Sequence, residues 1–389
     1  MAYPSSAATI EAQLGVLASA HPQLCERAFL PNATHDGRRV SYVRVGDGSG
    51  RPVLLSGGAH AREWVPPDAL ITMVQRLLEA HADGTDFEVP AFTDAAASPD
   101  IPYAAVTFEA ADVRRIVAAL DLHVLALVNP DGRAFSQSSA ANAMWRKNRR
   151  APRPGSTCRG VDINRNFDIA WDFDRYYSPA GAAVVSASKD PCDPQVYIGP
   201  DAASEPETRN VIGLLRERDI EVYVDVHSFS RKILYPWGID DNQTSEPEEN
   251  FLNPGWDGRR DGGFGGPYGE FIPDDGARRL LGEHLELGRA MRAAMLDGAG
   301  SDARARARSA YDLESSLALY PASGTASDYA FSRNFTSELE RPIVGFTLEC
   351  GSDADGEGGF QPSVSIYPKI EREVHLSMMA LLVRVAGAG

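Results

Sequence analysis

The chain has 389 residues, 43% of them hydrophobic and 24% charged, which is enough apolar content to fill a large core. Its 38 Lys and Arg face 54 Asp and Glu, and the formal net charge of -16 disfavours a nucleic acid or an anionic membrane as a partner. No apolar run reaches the roughly 18 residues of a membrane helix, and the N-terminus lacks a signal-peptide pattern. We therefore expect a soluble protein that is either cytosolic or begins after a removed export segment.

Short apolar runs alternate with helical patterns along the chain. In chain order they are strands at 40–45 and 52–56, a helix at 67–80, a strand at 123–128, a helix at 203–218, a strand at 221–226, a helix at 277–296, a strand at 343–349 and a helix at 370–385. Several strands have little polar alternation, which is typical of a sheet covered on both faces. The alternation of strands and helices predicts a layered α/β fold in one domain.

Two stretches interrupt this order and are predicted to be surface loops. Residues 81–105 are rich in Asp, Ala and Pro, and residues 239–276 are dense in Gly, Pro and acids without periodicity. The second stretch is long enough to form a lid or rim as a surface insertion.

The helix predicted at 203–218 has a start signal. Ser204 precedes Glu207 by three positions, which predicts a capping box at the beginning of this helix.

Two histidines and a glutamate follow predicted strands where each strand ends. His60 and Glu63 lie in GGAHAREW after the 52–56 run, and His227 directly follows the 221–226 run. Ligands of open α/β sheets gather beyond the carboxyl ends of strands, so these side chains are expected to converge. Two His and one Glu suit a catalytic zinc ion that keeps a water as its fourth ligand. Taken alone, a solvated turn for His60 and a buried hydrogen-bonded imidazole for His227 stay open as alternatives.

A carboxylate and several arginines extend the predicted site. Glu349 ends the 343–349 run, where an unpaired charge is costly to bury without a cation or a metal-bound water as partner. Such a group can take a proton from water and pass it to a leaving amine. Arg146 in MWRKNRR and Asn164 with Arg165 in VDINRNF bring guanidinium and amide groups that suit carboxylates and oxyanions. A solvated basic loop stays open as the alternative for the Arg146 segment.

Eight segments resemble, in order, the hallmark segments of the zinc metallocarboxypeptidases of the carboxypeptidase A and B type. They are GGAHAREW, NPDG, MWRKNR, CRGVDINRNF, VHSFSRKILYPWG, LYPASGTASDYAF, TLECG and GGFQP, and the match runs from Glu11 to the C-terminus. The resemblance implies a single-domain α/β/α sandwich over 1–389 with a mixed, largely parallel twisted central sheet. It also implies one Zn²⁺ per chain, peptide or protein C-termini as substrate, and a monomer that is either a mature form or one made without a pro-segment.

The resemblance assigns a role to each matching residue. His60, Glu63 and His227 match the zinc ligands. Glu349 matches the general base and acid, and Arg146 matches the group that stabilises the oxyanion. The matches to substrate-binding positions are Asn164 and Arg165 for the terminal carboxylate, Tyr320 as its cover, Arg62 and Ser228 at subsites, and Ser327 at the base of the specificity pocket. Asp162 matches a carboxylate that orients the first zinc histidine.

The specificity position and the cysteines carry further implications of the resemblance. Ser327 stands where A-type enzymes have a branched aliphatic residue and B-type enzymes an aspartate, so uncharged C-terminal residues are expected unless Asp328 takes its place by a register shift. Cys158 and Cys192 match a disulfide of the family, which favours export. Cys25 and Cys350 have no counterpart, and we interpret Cys350 as a small buried filler.

Two other functions stay open at this stage. A related zinc amidase that trims cell-wall peptides or N-acyl amino acids is disfavoured because NRN and Tyr320 suit an L-amino-acid carboxylate. A non-catalytic peptide-binding relative is disfavoured because the residues that match the zinc ligands, the base and the oxyanion group are all present.

Overall fold

The centre of the fold is a sheet of eight strands, seen in a computed structural model that describes residues 3–263, 275–338, 342–353 and 359–387. The strands are β1 (Cys25–Phe29), β2 (Ser41–Val45), β3 (Arg51–Gly57), β4 (Phe87–Val89), β5 (Phe92–Asp94), β6 (Ile101–Tyr103), β7 (Val106–Phe108), β8 (Leu120–Leu125), β9 (Val222–His227), β10 (Lys232–Tyr235), β11 (Asp312–Ser315) and β12 (Val344–Glu349). The order in the central sheet is β1-β2-β8-β3-β9-β12-β10-β11, and β4 with β7 and β5 with β6 form two small separate sheets.

The middle of the sheet is parallel and its margins are mixed. Neighbouring strands run parallel from β8 through β3 and β9 to β12, whereas β1, β2 and β10 each have an antiparallel neighbour. Every residue of β8 and β9 is buried, so both faces of the sheet are covered there. The predicted α/β fold with a mixed, largely parallel sheet is confirmed.

Helices cover the sheet and connect its parallel strands. They are α1 (Ala7–Ala20), α2 (Val65–Asp83), α3 (Ala110–Ala119), α4 (Pro130–Ser136), α5 (Phe173–Tyr176), α6 (Pro179–Val184), α7 (Pro206–Glu217), α8 (Asp275–Gly298), α9 (Ala303–Arg308), α10 (Ala326–Ser332) and α11 (Tyr367–Gly387). Helix α11 packs against α2, α3 and α8, whereas α10 packs against β9 and β12 beside the end of the sheet that carries Glu349. Among the described helices, none combines the length and the apolar character needed to span a membrane.

The structure corrects two local predictions. The capping box is wrong: α7 begins at Pro206, its N-cap is Glu205, and the Ser204 hydroxyl donates to the Glu205 carboxylate instead. The proline explains the shift, because a first-turn proline fixes the backbone for helix and needs no hydrogen-bond acceptor for its nitrogen.

The prediction of a surface loop at 81–105 is also wrong in part. Helix α2 continues to Asp83, and β4, β5 and β6 follow with Phe87, Val89 and Ile101 buried. The sequence did not predict these strands because each has only three residues, which is too short to show an alternation of apolar and polar residues.

The predicted lid or rim at 239–276 is described as far as residue 263 and again from Asp275, where α8 begins. Its first part is not a detached surface loop, since Ile239 and Arg260 are buried. The Arg260 guanidinium donates to the backbone oxygens of Tyr176, Glu249 and Asn250, which ties the segment to α5. The remainder of the predicted insertion, 264–274, lies outside the described residues.

The cysteines fall into one pair and two single residues. Cys158 and Cys192 form a disulfide that closes a separation of 34 positions between two loops. Cys25 and Cys350 are free and buried, and Cys350 has none of its surface exposed, in agreement with its interpretation as a core filler.

Candidate metal centre and active site

Three adjacent strands end at the same edge of the sheet and carry the central side chains of the site. In the strand order β3, β9, β12, His227 ends β9 and lies beside Glu349 at the end of β12. Strand β3 ends at Gly57, and the chain turns at Gly58, whose φ of +68° and close neighbours Leu127 and Pro67 leave no room for a Cβ. This turn brings His60 over the ends of the neighbouring strands.

The imidazoles of His60 and His227 and the carboxylate of Glu63 converge. The Nδ1 atoms of the two imidazoles lie 3.0 Å apart, and the Glu63 oxygens lie 2.7 Å from the first and 3.0 Å from the second. All three side chains are buried, and each offers a ligand atom within 4.8 Å of the others. Two atoms bound tetrahedrally to zinc at 2.0–2.1 Å lie about 3.3 Å apart, so this cluster has the size of a zinc site.

Carboxylates behind the imidazoles show why this donor set fits a metal ion. The Nε2 atom of His60 lies 3.2 Å from Asp162, and the Nε2 atom of His227 lies 2.7 Å from Asp225. A proton on each Nε2 directs the Nδ1 lone pairs towards each other and towards the Glu63 carboxylate. Three acceptors facing one another in a buried place repel unless a cation lies between them, and a zinc ion meets that need.

The Arg146 guanidinium lies against the same outer carboxylate. Its Nε donates to Asp162 at 2.9 Å, while Asp162 also accepts the backbone N–H of Asn164 at 3.0 Å. Although burial opposes ionisation, the Arg146 guanidinium holds the pKa of Asp162 well below its ordinary value, and the hydrogen bond from His60 lowers it further. Asp162 is therefore an anion that orients one imidazole and one guanidinium at once.

The Glu349 side chain is half-buried at the end of β12, beside this cluster. Burial raises its pKa to about 7, with the nearby Glu63 carboxylate adding to the rise. A carboxyl with a pKa near 7 is matched to taking up and releasing protons at neutral pH. The position at the end of β12 therefore supplies an acid–base group at the edge where the histidines meet.

Arg165, Asn164 and Tyr320 lie on the other side of the site. The Arg165 guanidinium is buried, donates to the backbone oxygen of Asn164 at 2.6 Å and lies 5.7 Å from the centre of the Tyr320 ring. The Asn164 side-chain oxygen accepts the N–H of Ala326 at the start of α10, which fixes the amide. Tyr320 is 40% exposed, so its ring has room to move relative to the guanidinium.

Arg62 and Ser228 flank the metal-ligand cluster. Arg62 donates to the Gln195 side chain at 2.7 Å and lies 4.2 Å from the centre of the Phe360 ring. The backbone N–H of Ser228 donates to Glu63 at 3.2 Å, which steadies the carboxylate. Both residues thus border the space next to the histidines.

Ser327 and Asp328 occupy different environments. The Ser327 hydroxyl is buried 3.4 Å from that of Thr347, two residues before Glu349 on the same face of β12. Asp328 instead accepts the backbone N–H of Gly238 at both carboxylate oxygens, at 3.0 and 2.9 Å. Burial raises the pKa of Asp328 to about 7, and the two hydrogen bonds from Gly238 make this carboxyl a structural anchor.

Sequence reasoning missed Asp225 and Gln195. Asp225 could have been found from its place two residues before His227, since side chains at i and i+2 of a strand lie on one face. Gln195 lies in an irregular loop, and no pattern in the sequence relates it to Arg62. Among the residues that the sequence singled out, His60, Glu63 and His227 lie in one cluster and Glu349 lies beside His227.

Comparisons with known proteins agree on one family. A family model described as zinc carboxypeptidase matches residues 10–376. Carboxypeptidase B of Bos taurus is 32% identical over 236 residues, which cover 60% of this chain and 46% of that protein. Carboxypeptidase A1 of Homo sapiens is 27% identical over 239 residues, which cover 61% of this chain and 47% of that protein. The chain thus spans about half the length of these curated relatives.

Solved structures show the same fold at low sequence identity. Bovine thrombin-activatable fibrinolysis inhibitor in complex with tick carboxypeptidase inhibitor has a TM-score of 0.66 at 19% identity, over 99% of this chain and 98% of that one. Carboxypeptidase A from Helicoverpa armigera has a TM-score of 0.66 at 22% identity, over 99% of this chain and 74% of that one.

Proposed function

Since the chain belongs to the zinc carboxypeptidase family, we propose that it is a zinc-dependent exopeptidase that hydrolyses the C-terminal peptide bond of peptides or proteins and releases an L-amino acid. The observation that carries this proposal is the convergence of His60, Glu63 and His227 beside Glu349. These three residues would hold the metal. When bound, zinc supplies Lewis acidity that makes a water molecule nucleophilic near neutral pH.

Glu349 serves as the base and then the acid. It takes a proton from the attacking water and passes it to the amine of the departing amino acid, and both steps need a pKa near the working pH. Burial of this carboxyl, which raises its pKa to about 7, supports the assignment.

Arg146 stabilises the negative charge that develops on the scissile carbonyl oxygen. Its Nε is held by Asp162, and among the described residues no hydrogen bond occupies its terminal nitrogens. A donor that is already oriented in a buried place needs little reorganisation during the reaction, which is the basis of oxyanion stabilisation.

Arg165 and Asn164 bind the terminal carboxylate, and Tyr320 covers it. A guanidinium fork pairs with a carboxylate through two parallel hydrogen bonds, so an internal peptide bond, which lacks that carboxylate, is not held for cleavage. The test uses a peptide and its C-terminally amidated form. We expect cleavage of the free acid only, with loss of activity after chelation and recovery with zinc; equal cleavage of both peptides would contradict the proposal.

The specificity pocket is proposed to favour uncharged C-terminal residues. Ser327 and Thr347 bring hydroxyls without charge, and Asp328 is engaged by the backbone N–H of Gly238. Peptides that differ only in ending with Phe, Leu, Lys or Glu measure the preference through kcat/KM. We expect Phe and Leu to exceed Lys and Glu, and a strong Lys preference would contradict this assignment.

The segment 239–263 is proposed to form a rim that restricts folded substrates. The support is proximity: a Cβ placed on Gly262 would lie only 3.0 Å from Pro321, the residue after Tyr320, so the segment adjoins the proposed carboxylate site. A folded protein extended at its C-terminus by flexible tails of increasing length tests this proposal. We expect release to be slow without a tail and to approach the small-peptide rate as the tail lengthens; equal rates at every length would refute the rim.

The two other functions have their own tests. A zinc amidase would hydrolyse muropeptides or N-acyl amino acids faster than ordinary peptides that end in an L-amino acid. A non-catalytic relative would bind peptides but release no amino acid when loaded with zinc. The proposed site for an L-amino-acid carboxylate, formed by Asn164, Arg165 and Tyr320, favours the exopeptidase.

A further inference from the structure

A second group of potential metal ligands lies outside the proposed active site. His35, in the loop between β1 and β2, lies next to Glu205 and Glu207 at the start of α7. Each residue of this group, which we call the His35 cluster, offers one ligand atom within 4.8 Å of the other two. We propose that the His35 cluster binds a second divalent transition-metal ion, such as zinc. The proposal goes beyond the exopeptidase function and does not depend on it.

The hydrogen bonds of Glu205 leave one of its oxygens directed at the histidine. Its Oε1 accepts from Arg150 and from Ser204, each at 2.7 Å. Its Oε2 lies 2.8 Å from His35 Nε2 and accepts the Asn148 amide at 2.8 Å. The arginine therefore holds the far side of this carboxylate, and the Oε2 and Nε2 atoms are positioned as neighbouring ligands.

One carboxylate oxygen of Glu207 has no partner in the hydrogen-bond network that the structure describes. Its Oε2 accepts the Asn148 amide at 3.0 Å, but its Oε1 is buried and has no hydrogen-bond partner among the described residues. The side chain belongs to a residue that is only 1% exposed, and leaving such an oxygen without a partner costs about 1–3 kcal/mol. A metal ion bound by this carboxylate removes the deficit.

The charges of the cluster also suit a divalent cation. Two carboxylates, Glu205 and Glu207, face His35, and Arg150 is the one cation among the described charged groups that face it. Arg150 donates to the oxygen of Glu205 that points away from His35, so the oxygen beside the imidazole stays available to an ion.

The ligand types and the access path indicate the class of ion. One imidazole nitrogen with carboxylate oxygens suits zinc and neighbouring transition metals, whereas calcium and magnesium prefer oxygen ligands alone. The His35 side chain is 25% exposed, so an ion and its water ligands reach the cluster from solvent. The Asn148 amide donates to both carboxylates and lies two residues after Arg146. The cluster is therefore in contact with the chain segment that carries the proposed oxyanion group.

The test is a count of zinc ions per chain. Metal-free protein is dialysed against excess zinc, freed of loose ions and analysed for metal content, using His35→Ala, His60→Ala and His21→Ala beside the wild type. We expect two ions in the wild type and in His21→Ala, a matched change outside both groups, and one ion in each of the other variants. Because His60→Ala removes only the ion of the proposed active site, failure of the two proposals is distinguishable.

A second variant keeps the test decisive if His35→Ala does not fold. Glu207→Gln preserves the size of the side chain, and far-UV circular dichroism and urea unfolding check that the fold is retained. We expect this variant to lower the affinity for the second zinc ion by more than about 10-fold, as measured by competition with a chromogenic chelator. A wild type whose only ion is lost in His60→Ala and kept in His35→Ala, or a His35→Ala variant that holds as many ions as the wild type, would overturn the proposal.

Discussion

Arg146 offers the sharpest test of the site because its two hydrogen-bonding ends have separate consequences. The terminal nitrogens are the proposed oxyanion donors, and removing one such donor typically lowers turnover by about 10²- to 10³-fold. This fall corresponds to about 2.7–4 kcal/mol in the barrier. The Nε end holds Asp162, so Arg146→Ala also leaves a buried anion without its arginine, which costs up to about 3–5 kcal/mol of folding stability. Asp162 keeps its contacts with His60 and with the Asn164 N–H, so we expect zinc binding to persist.

Arg146→Lys separates the two effects. A lysine keeps a cation near Asp162 but lacks the planar fork, so we expect stability close to that of the wild type together with a large loss of turnover. The assays are kcat and KM on a short peptide, urea unfolding and zinc content of each protein. Turnover of Arg146→Ala within about 3-fold of the wild type would refute the assignment of Arg146 to the oxyanion.

Other expectations follow from the site and the core. Glu349→Gln should retain zinc but lose at least about 10²-fold in turnover, since an amide takes up no proton; retained turnover contradicts its role. Replacing Cys158 and Cys192 by serine should lower the unfolding free energy by about 3–4 kcal/mol in urea, and an unchanged midpoint argues against the disulfide. Burial lowers the pKa of His375 to about 4 from 6.5, so folding stability is fully present above about pH 6.5 and is lost by up to about 3 kcal/mol as the pH falls towards 4. His375→Gln should reduce this acid loss in chelator-treated protein compared between about pH 7 and about pH 4.5, and an equal loss in both proteins refutes it.

The sequence predicted the parts of the fold that rest on long apolar patterns. Strands β3, β9 and β12 were located to within one residue at each end, because nearly every side chain in them is buried. Strand β8 begins at Leu120, three residues before the predicted start, because α3 runs directly into it at Leu120 and no polar turn separates them. The edge strands β1 and β11, and β10 beside β11, escaped prediction because partial burial gives them no clear period.

The site was predicted from two sources: the chemistry of side chains at strand ends, and the resemblance to a known family. That chemistry suggested His60, His227 and Glu349, whereas the roles given to Tyr320 and Ser327 came from the family resemblance. Contacts between distant loops, such as Arg62 with Gln195 or the meeting of His35 with Glu205, have no local signal. They depend on how loops approach one another after the sheet has formed.

The arrangement of the three central strands also determines which strand edge is exposed during synthesis. Strand β9 pairs with β3 on one side and with β12 on the other, yet β12 is among the last elements of the chain. Until the ribosome has released β12, the edge of β9 that later pairs with β12 has no partner strand, which favours association with other chains. A nascent chain that stops short of residue 344 therefore lacks Glu349 and exposes the very strand that carries His227.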